Sequence, residues 1–145
     1  MAFLTVGYLH ASAQETVPIN QPDYNKPKLF SDLPAKLNLR LPDMEALLNL
    51  SVGTKVNTLV AEGLQLKGTV VSRSNPDDLS VKSVVINSFT RQGATLTFTR
   101  FTKDDGTYSY IGRMISKDAG DALEIVKEGT VYVIRKTGLY DLINE

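Results

Sequence analysis

The side chains that most often do chemistry are scarce in this sequence. There is no Cys, and the single His is His10. Residues 2–9, AFLTVGYL, form an apolar run that leads through His10 into the small triplet Ala11-Ser12-Ala13. An apolar core followed by A-x-A is the pattern of a secretory signal peptide, so residues 1–13 are expected to be cleaved, leaving Gln14 first and the product exported, periplasmic or extracellular. No Lys or Arg precedes the run, so the true translation start is expected upstream of Met1. A mature chain without His or Cys offers no zinc ligand set, Ser-His-Asp triad, thiolate nucleophile or imidazole proton shuttle.

Carboxylates remain. The 16 Asp and Glu residues allow many pairs of the kind that glycoside hydrolysis uses. Nearly all fall at turn signals or chain ends, away from the apolar neighbours that raise a carboxyl pKa. Asp104-Asp105-Gly106 opens like a calcium loop, but Thr107-Tyr108-Ser109-Tyr110 follows where further oxygen ligands are needed, so it reads as a hairpin turn. Asp77-Asp78, and Asp118 with Asp121, likewise read as turn residues. A Ser-Lys hydrolase needs its nucleophile near a desolvated Lys, and the spacing S-x-x-K does not occur. Phosphate cradles, dinucleotide fingerprints and zinc spacings are missing too. The expectation is a protein that is not an enzyme and uses no cofactor or metal.

Recognition chemistry is better supplied. Arg100, Arg113, Tyr108 and Tyr110 cluster on one ribbon, and Arg beside Tyr suits a peptide carboxylate or a sugar ring. The competing structural role has Arg100 stacked across the strands on Tyr110, with its guanidinium leaving the end of a barrel. With 16 Lys and Arg against 16 Asp and Glu, no electrostatic footprint for nucleic acid or an anionic membrane is present. No segment approaches the ~18 apolar residues of a membrane-spanning helix. A peptide or protein is therefore the expected partner.

These residues must be held by a fold. The 145 residues, 42% hydrophobic and 22% charged, suit one packed domain. Five of the six prolines fall between Pro18 and Pro42. Each removes a donor and disfavours helix before it, so residues 14–36 read as an extended tether or surface strap, with Tyr24, Leu29, Phe30 and Leu33 as anchors. The domain is then expected to span 37–145. Leu37, Leu39 and Leu41 alternate as on a half-buried strand. Asp43 is placed to cap a short helix that buries Met44, Leu47 and Leu48 and ends at Gly53. Beyond it, β-branched and aromatic runs near 55–61, 64–74, 80–90, 94–102, 107–117, 121–127 and 130–136 alternate with turn signals. The connections are too short for crossover helices. The fold class expected is all-β with one short helix, a mainly antiparallel meander closing into a small barrel or sandwich.

Two turns set the central register. A three-residue loop at Asp104-Asp105-Gly106 places Arg100 opposite Tyr110, Phe98 opposite Gly112 and Leu96 opposite Met114. A similar loop at Arg91-Gln92-Gly93 places Ile86 opposite Phe98 and Ser88 opposite Leu96. One face then collects Val84, Ile86, Leu96, Phe98, Tyr110 and Met114, with Phe98 filling the space beside Gly112. The reverse face carries Val85, Phe89, Thr97, Thr99, Phe101, Ile111, Arg113 and Ile115. Its mixed character marks Phe101, Ile111 and Arg113 as candidate contact residues. The helix and the C-terminal Leu139, Tyr140, Leu142 and Ile143 are expected to plug the open ends.

GTVVSRS (68–74), SVVINS (83–88), GATLTFTR (93–100), DGTYSYIGRMIS (105–116), GDALEIV (120–126) and YVIRKTGLYDLINE (132–145) resemble a group of small exported bacterial β-proteins of unassigned activity. KGTV (67–70), SVVI (83–86), GRMI (112–115) and VYVI (131–134) are more distantly similar to the strand pattern of pro-domains in secreted zinc metalloproteases. The metal-blocking Cys of that pattern is missing and no protease domain follows Glu145, so the resemblance implies at most a stand-alone relative of such a module. Three functions are thus expected in order: a peptide-binding or protein-binding module, a pro-domain-like inhibitor or chaperone of a secreted peptidase, and a carrier of an apolar small molecule.

Overall fold

The computed structural model describes residues 23–143. The expected signal peptide, His10 and the first part of the tether lie outside the described residues. The ten elements are joined by turns and short loops. The elements are β1 (Lys36–Asn38), α1 (Leu41–Leu47), β2 (Lys55–Ala61), β3 (Leu64–Arg73), β4 (Val81–Ser88), β5 (Thr95–Thr102), β6 (Tyr108–Ile115), β7 (Asp121–Glu128), β8 (Val131–Gly138) and α2 (Leu139–Ile143).

The strands make one antiparallel eight-stranded sheet in the order β1-β8-β7-β6-β5-β4-β3-β2. From β3 to β8 every strand pairs with its predecessor in the chain, as short connections require. The sheet curls into a half-barrel, and a single antiparallel bridge, Leu39 to Ala61, ties the end of β1 to the far edge strand β2. The Arg40 N–H donates to the Val60 carbonyl beside it at 2.8 Å.

The turn at Asp104-Asp105-Gly106 forms as its residues dictate. Gly106 has φ +81°, a left-handed conformation that a side chain resists. The Lys103 N–H donates to the Thr107 carbonyl at 2.8 Å. Arg100 then faces Tyr110, Phe98 faces Gly112 and Leu96 faces Met114. The next hairpin differs from expectation. Ile86 pairs with Leu96, and Phe98 with Val84, because the loop runs from 89 to 93 and the Ser88 N–H donates to the Ala94 carbonyl at 2.9 Å. A slip of two positions keeps each side chain on its own face. Val84, Ile86, Leu96, Phe98, Tyr110 and Met114 are accordingly all buried in one core.

That core reaches back to Phe30, which is fully buried, ahead of the start expected at Leu37. Leu33 joins it and Leu29 packs against it, whereas Tyr24 is exposed and meets only the edge of Tyr140. Asp121 holds this strap. Its two carboxylate oxygens accept the N–H groups of Leu29 at 2.7 Å and Phe30 at 2.9 Å. Asp121 is therefore a buried strand residue opening β7, not the turn residue expected. Arg91 completes the clamp, donating to the Leu29 carbonyl at 2.9 Å and to the Asp32 carboxylate at 2.7 Å. The Arg91 bond holds the Asp32 carboxyl below its usual range.

The helix also starts earlier than expected. Pro42 occupies its first turn, Arg40 precedes it, and Asp43 lies inside it and accepts from Arg40 Nε at 2.7 Å. Gly53 does not cap it, since its N–H bonds the Val70 carbonyl at 2.8 Å at the entry to β2. Met44, Leu47 and Leu48 are buried as their spacing predicts. At the other end Leu139 and Leu142 of α2 are buried and Ile143 is exposed. A cavity between Met44, Leu66, Leu96, Met114 and Ile125 has a volume of about 20 Å³. That is room for about one water.

Two glycines allow strands to approach. A Cβ on Gly68 would lie 2.1 Å from the Asn87 carbonyl oxygen, and one on Gly112 would lie 2.5 Å from Ile125 Cδ1. The space beside Gly112 is thus taken first by Ile125 of β7, not by Phe98. Backbone cannot yield as a side-chain tip can. Gly68→Ala should cost about 3 kcal/mol or more and Gly112→Ala about 1 kcal/mol, read by urea unfolding. Asp121→Ala should cost about 2–4 kcal/mol and open the strap to early tryptic cleavage after Lys28. Unchanged cleavage there would contradict the clamp.

Candidate functional site

The residues singled out for recognition separate into two clusters on opposite faces of the sheet. Arg100, Tyr108 and Tyr110 lie on the concave side, at the end covered by α1. Tyr110 is turned inward: its ring stacks on Phe98 with centroids 5.7 Å apart and planes 4° apart, and the edge of Tyr132 meets it at 5.1 Å. Its phenol donates to one oxygen of Glu45 on α1. Arg100 Nη1 donates to the other at 3.2 Å. The Arg100 guanidinium therefore stacks on its diagonal neighbour Tyr108, 4.1 Å from the ring centroid, and not on Tyr110 as its directly opposite position suggests.

Burial raises the Tyr110 phenol pKa above its ordinary value, the hydrogen bond and negative charge of Glu45 raise it further, and Arg100 opposes them. A proton held this firmly is not available for acid-base work near neutral pH. The cluster ties the helix to the sheet. Only Tyr108 presents an exposed surface. Glu45 was not signalled by motif. It follows Met44 on the helix, at the border of the buried stripe, and that position is the one local hint that it could reach inward.

Phe101, Ile111 and Arg113 lie on the convex face. Strand alternation puts Thr95, Thr97 and Thr99 of β5 beside Ile111, Arg113 and Ile115 of β6, and Glu124, Val126 and Lys127 of β7 complete a shallow groove. In register, Thr97 faces Arg113, and Arg113 faces Glu124. Ile111 is 56% exposed, while Phe101 is half-buried and is not among the residues that line the groove. Glu124 is already occupied: its carboxylate accepts from Arg135 of β8 at 2.8 Å, and its side chain is 13% exposed. Arg113 makes no ion pair among the described residues.

The two carboxylates most enclosed by the sheet, Asp121 and Glu124, are thus bonded to backbone and to an arginine. Among the described residues there is no group of three or more Asp, Glu, His or Cys placed to hold a metal ion. No helix of the described residues is long and apolar enough to cross a membrane. No protein-family model, no curated protein and no solved structure matches this chain.

The bond between Tyr110 and Glu45 yields a pH signature. The folded chain holds the phenol proton more tightly than the unfolded chain does. Its stabilisation is complete below about pH 10 and is lost as pH rises through the folded value. Tyr110→Phe should cost about 1–2 kcal/mol at pH 7. Relative to the parent it should also lose stability less steeply above about pH 10. Parallel curves at alkaline pH, measured by urea unfolding, would contradict this account.

Proposed function

We propose that the chain is an exported, non-enzymatic binding module that captures extended segments of peptides or proteins in the groove across β5, β6 and β7. The observation that supports this reading is Ile111, a large apolar side chain left open in a shallow strip of threonine, arginine and isoleucine on the convex face. Exposed isoleucine on a sheet face costs hydration free energy that contact with a partner would recover. A hydroxyl donor on the groove wall suits an extended segment, whose own backbone needs partners. Thr97 brings a hydroxyl to one wall of the groove, and Arg113 and Lys127 bring cations to the others. Export follows from residues 1–13 and belongs to the same proposal.

The test uses the purified chain immobilised against a combinatorial hexapeptide library. Ile111→Ala should lower peptide retention roughly fivefold or more, the loss of one groove contact. Ile111→Ala should leave the melting temperature within about 2 °C of the parent, since its side chain is outside the core. Equal retention by parent and Ile111→Ala would overturn the proposal.

A further inference from the structure

We infer that the strap exchanges between copies: residues 23–33 of one chain leave their own half-barrel and fill the same seat on a second chain. Each copy of the resulting dimer then supplies Phe30 to the other's core. What the seat accepts is visible, because the strap occupies it. Phe30 and Leu33 are buried there. Asp121 accepts the Leu29 and Phe30 N–H groups, and Arg91 holds the Leu29 carbonyl and the Asp32 carboxylate. The Gly120 N–H donates to the Pro27 carbonyl at 2.9 Å, and Lys26 Nζ donates to the Lys117 carbonyl at 2.7 Å. A second copy offers an identical seat, so exchange keeps every one of these contacts.

Three features make the strap the separable part. Residues 23–34 belong to no helix or strand, so leaving the seat breaks no sheet ladder, and a segment of this kind opens at less cost than the whole fold. Arg91 and Asp121 are far from the strap in the chain, with Arg91 59 residues beyond Asp32 and Asp121 91 residues beyond Phe30. A second chain can therefore supply them as well as the first. Only Pro34 and Ala35 link Leu33 to β1. Short hinges invite exchange, and Pro34 biases Leu33 before it toward the extended backbone that an exchanged link needs. Within one chain the strap has an effective concentration on the order of millimolar, so exchange belongs to concentrated protein.

The chain has no Cys, so introduced cysteines report the exchange. A Cβ on Gly120 would lie 3.4 Å from the Lys26 Cβ and 3.0 Å from the Lys26 carbonyl oxygen, so a small shift brings the pair to the separation a disulfide spans. The double variant Lys26→Cys/Gly120→Cys, kept dilute, should close that bond within one chain; a pair that stays reduced would overturn the seat and the exchange with it. Full-length Lys26→Cys and Gly120→Cys chains are then mixed at about 1 mM in a glutathione redox buffer and resolved by mass. The mixed dimer should exceed either like-with-like dimer roughly fivefold or more, and should vanish at about 1 μM. Phe30→Ala in the Lys26→Cys chain should erase the preference. Asp32→Asn, at an exposed side chain outside the core, should lower it roughly threefold without loss of fold. Mixed dimers no more frequent than like-with-like dimers, or monomers alone, would overturn the exchange and leave the peptide-binding reading standing.

Discussion

An antiparallel sheet with one apolar face is stable only when that face is dried along its whole length, and this requirement organises the molecule. Eight strands curl until Ile86, Phe98 and Met114 share an interior with Val60, Leu66 and Ile134 from the outer strands. Curling alone leaves the two ends of the half-barrel wet. One end receives α1, whose Met44, Leu47 and Leu48 complete the core, and the other receives Phe30 and Leu33 from the strap. The Leu39–Ala61 bridge draws the edges together where the sheet would otherwise part.

Each plug is apolar in its contact and ionic in its fastening. The strap is pinned by Asp121 and Arg91, which satisfy its backbone groups where they are withdrawn from water. The helix is pinned by Glu45 between Arg100 and Tyr110. Buried backbone donors without partners cost more than the average hydrogen bond gains, so these few polar residues decide whether the apolar plugs can seat at all. The carboxylates of Asp121 and Glu45 are engaged in that role.

Much of this was legible in the sequence because it is local. Period-two alternation located the strands within a few residues, and Asp104-Asp105-Gly106 fixed a register that holds through Phe98 and Leu96. The turn at 91–93 misled because Arg91 serves a distant partner: its guanidinium is drawn to Asp32 and Leu29, and the hairpin loop widens around it. Asp121 and Glu45 were missed for the same reason, since their partners lie 91 and 65 residues away in the chain. The candidate residues were found by type but not by side. Arg100 and Arg113 look alike in the sequence, yet one is spent on the helix while the other remains open to a ligand.

The division between a dry concave face and an open convex one is most directly measured by methyl NMR with a soluble paramagnetic agent. The Phe98 ring should show cross-relaxation to the Ile86 and Met114 methyl groups, which the agent should leave sharp, while the Ile111 methyls broaden strongly. Ile111 signals as protected as those of Ile86 would mean that the convex face is covered, and the account of both core and groove would fail.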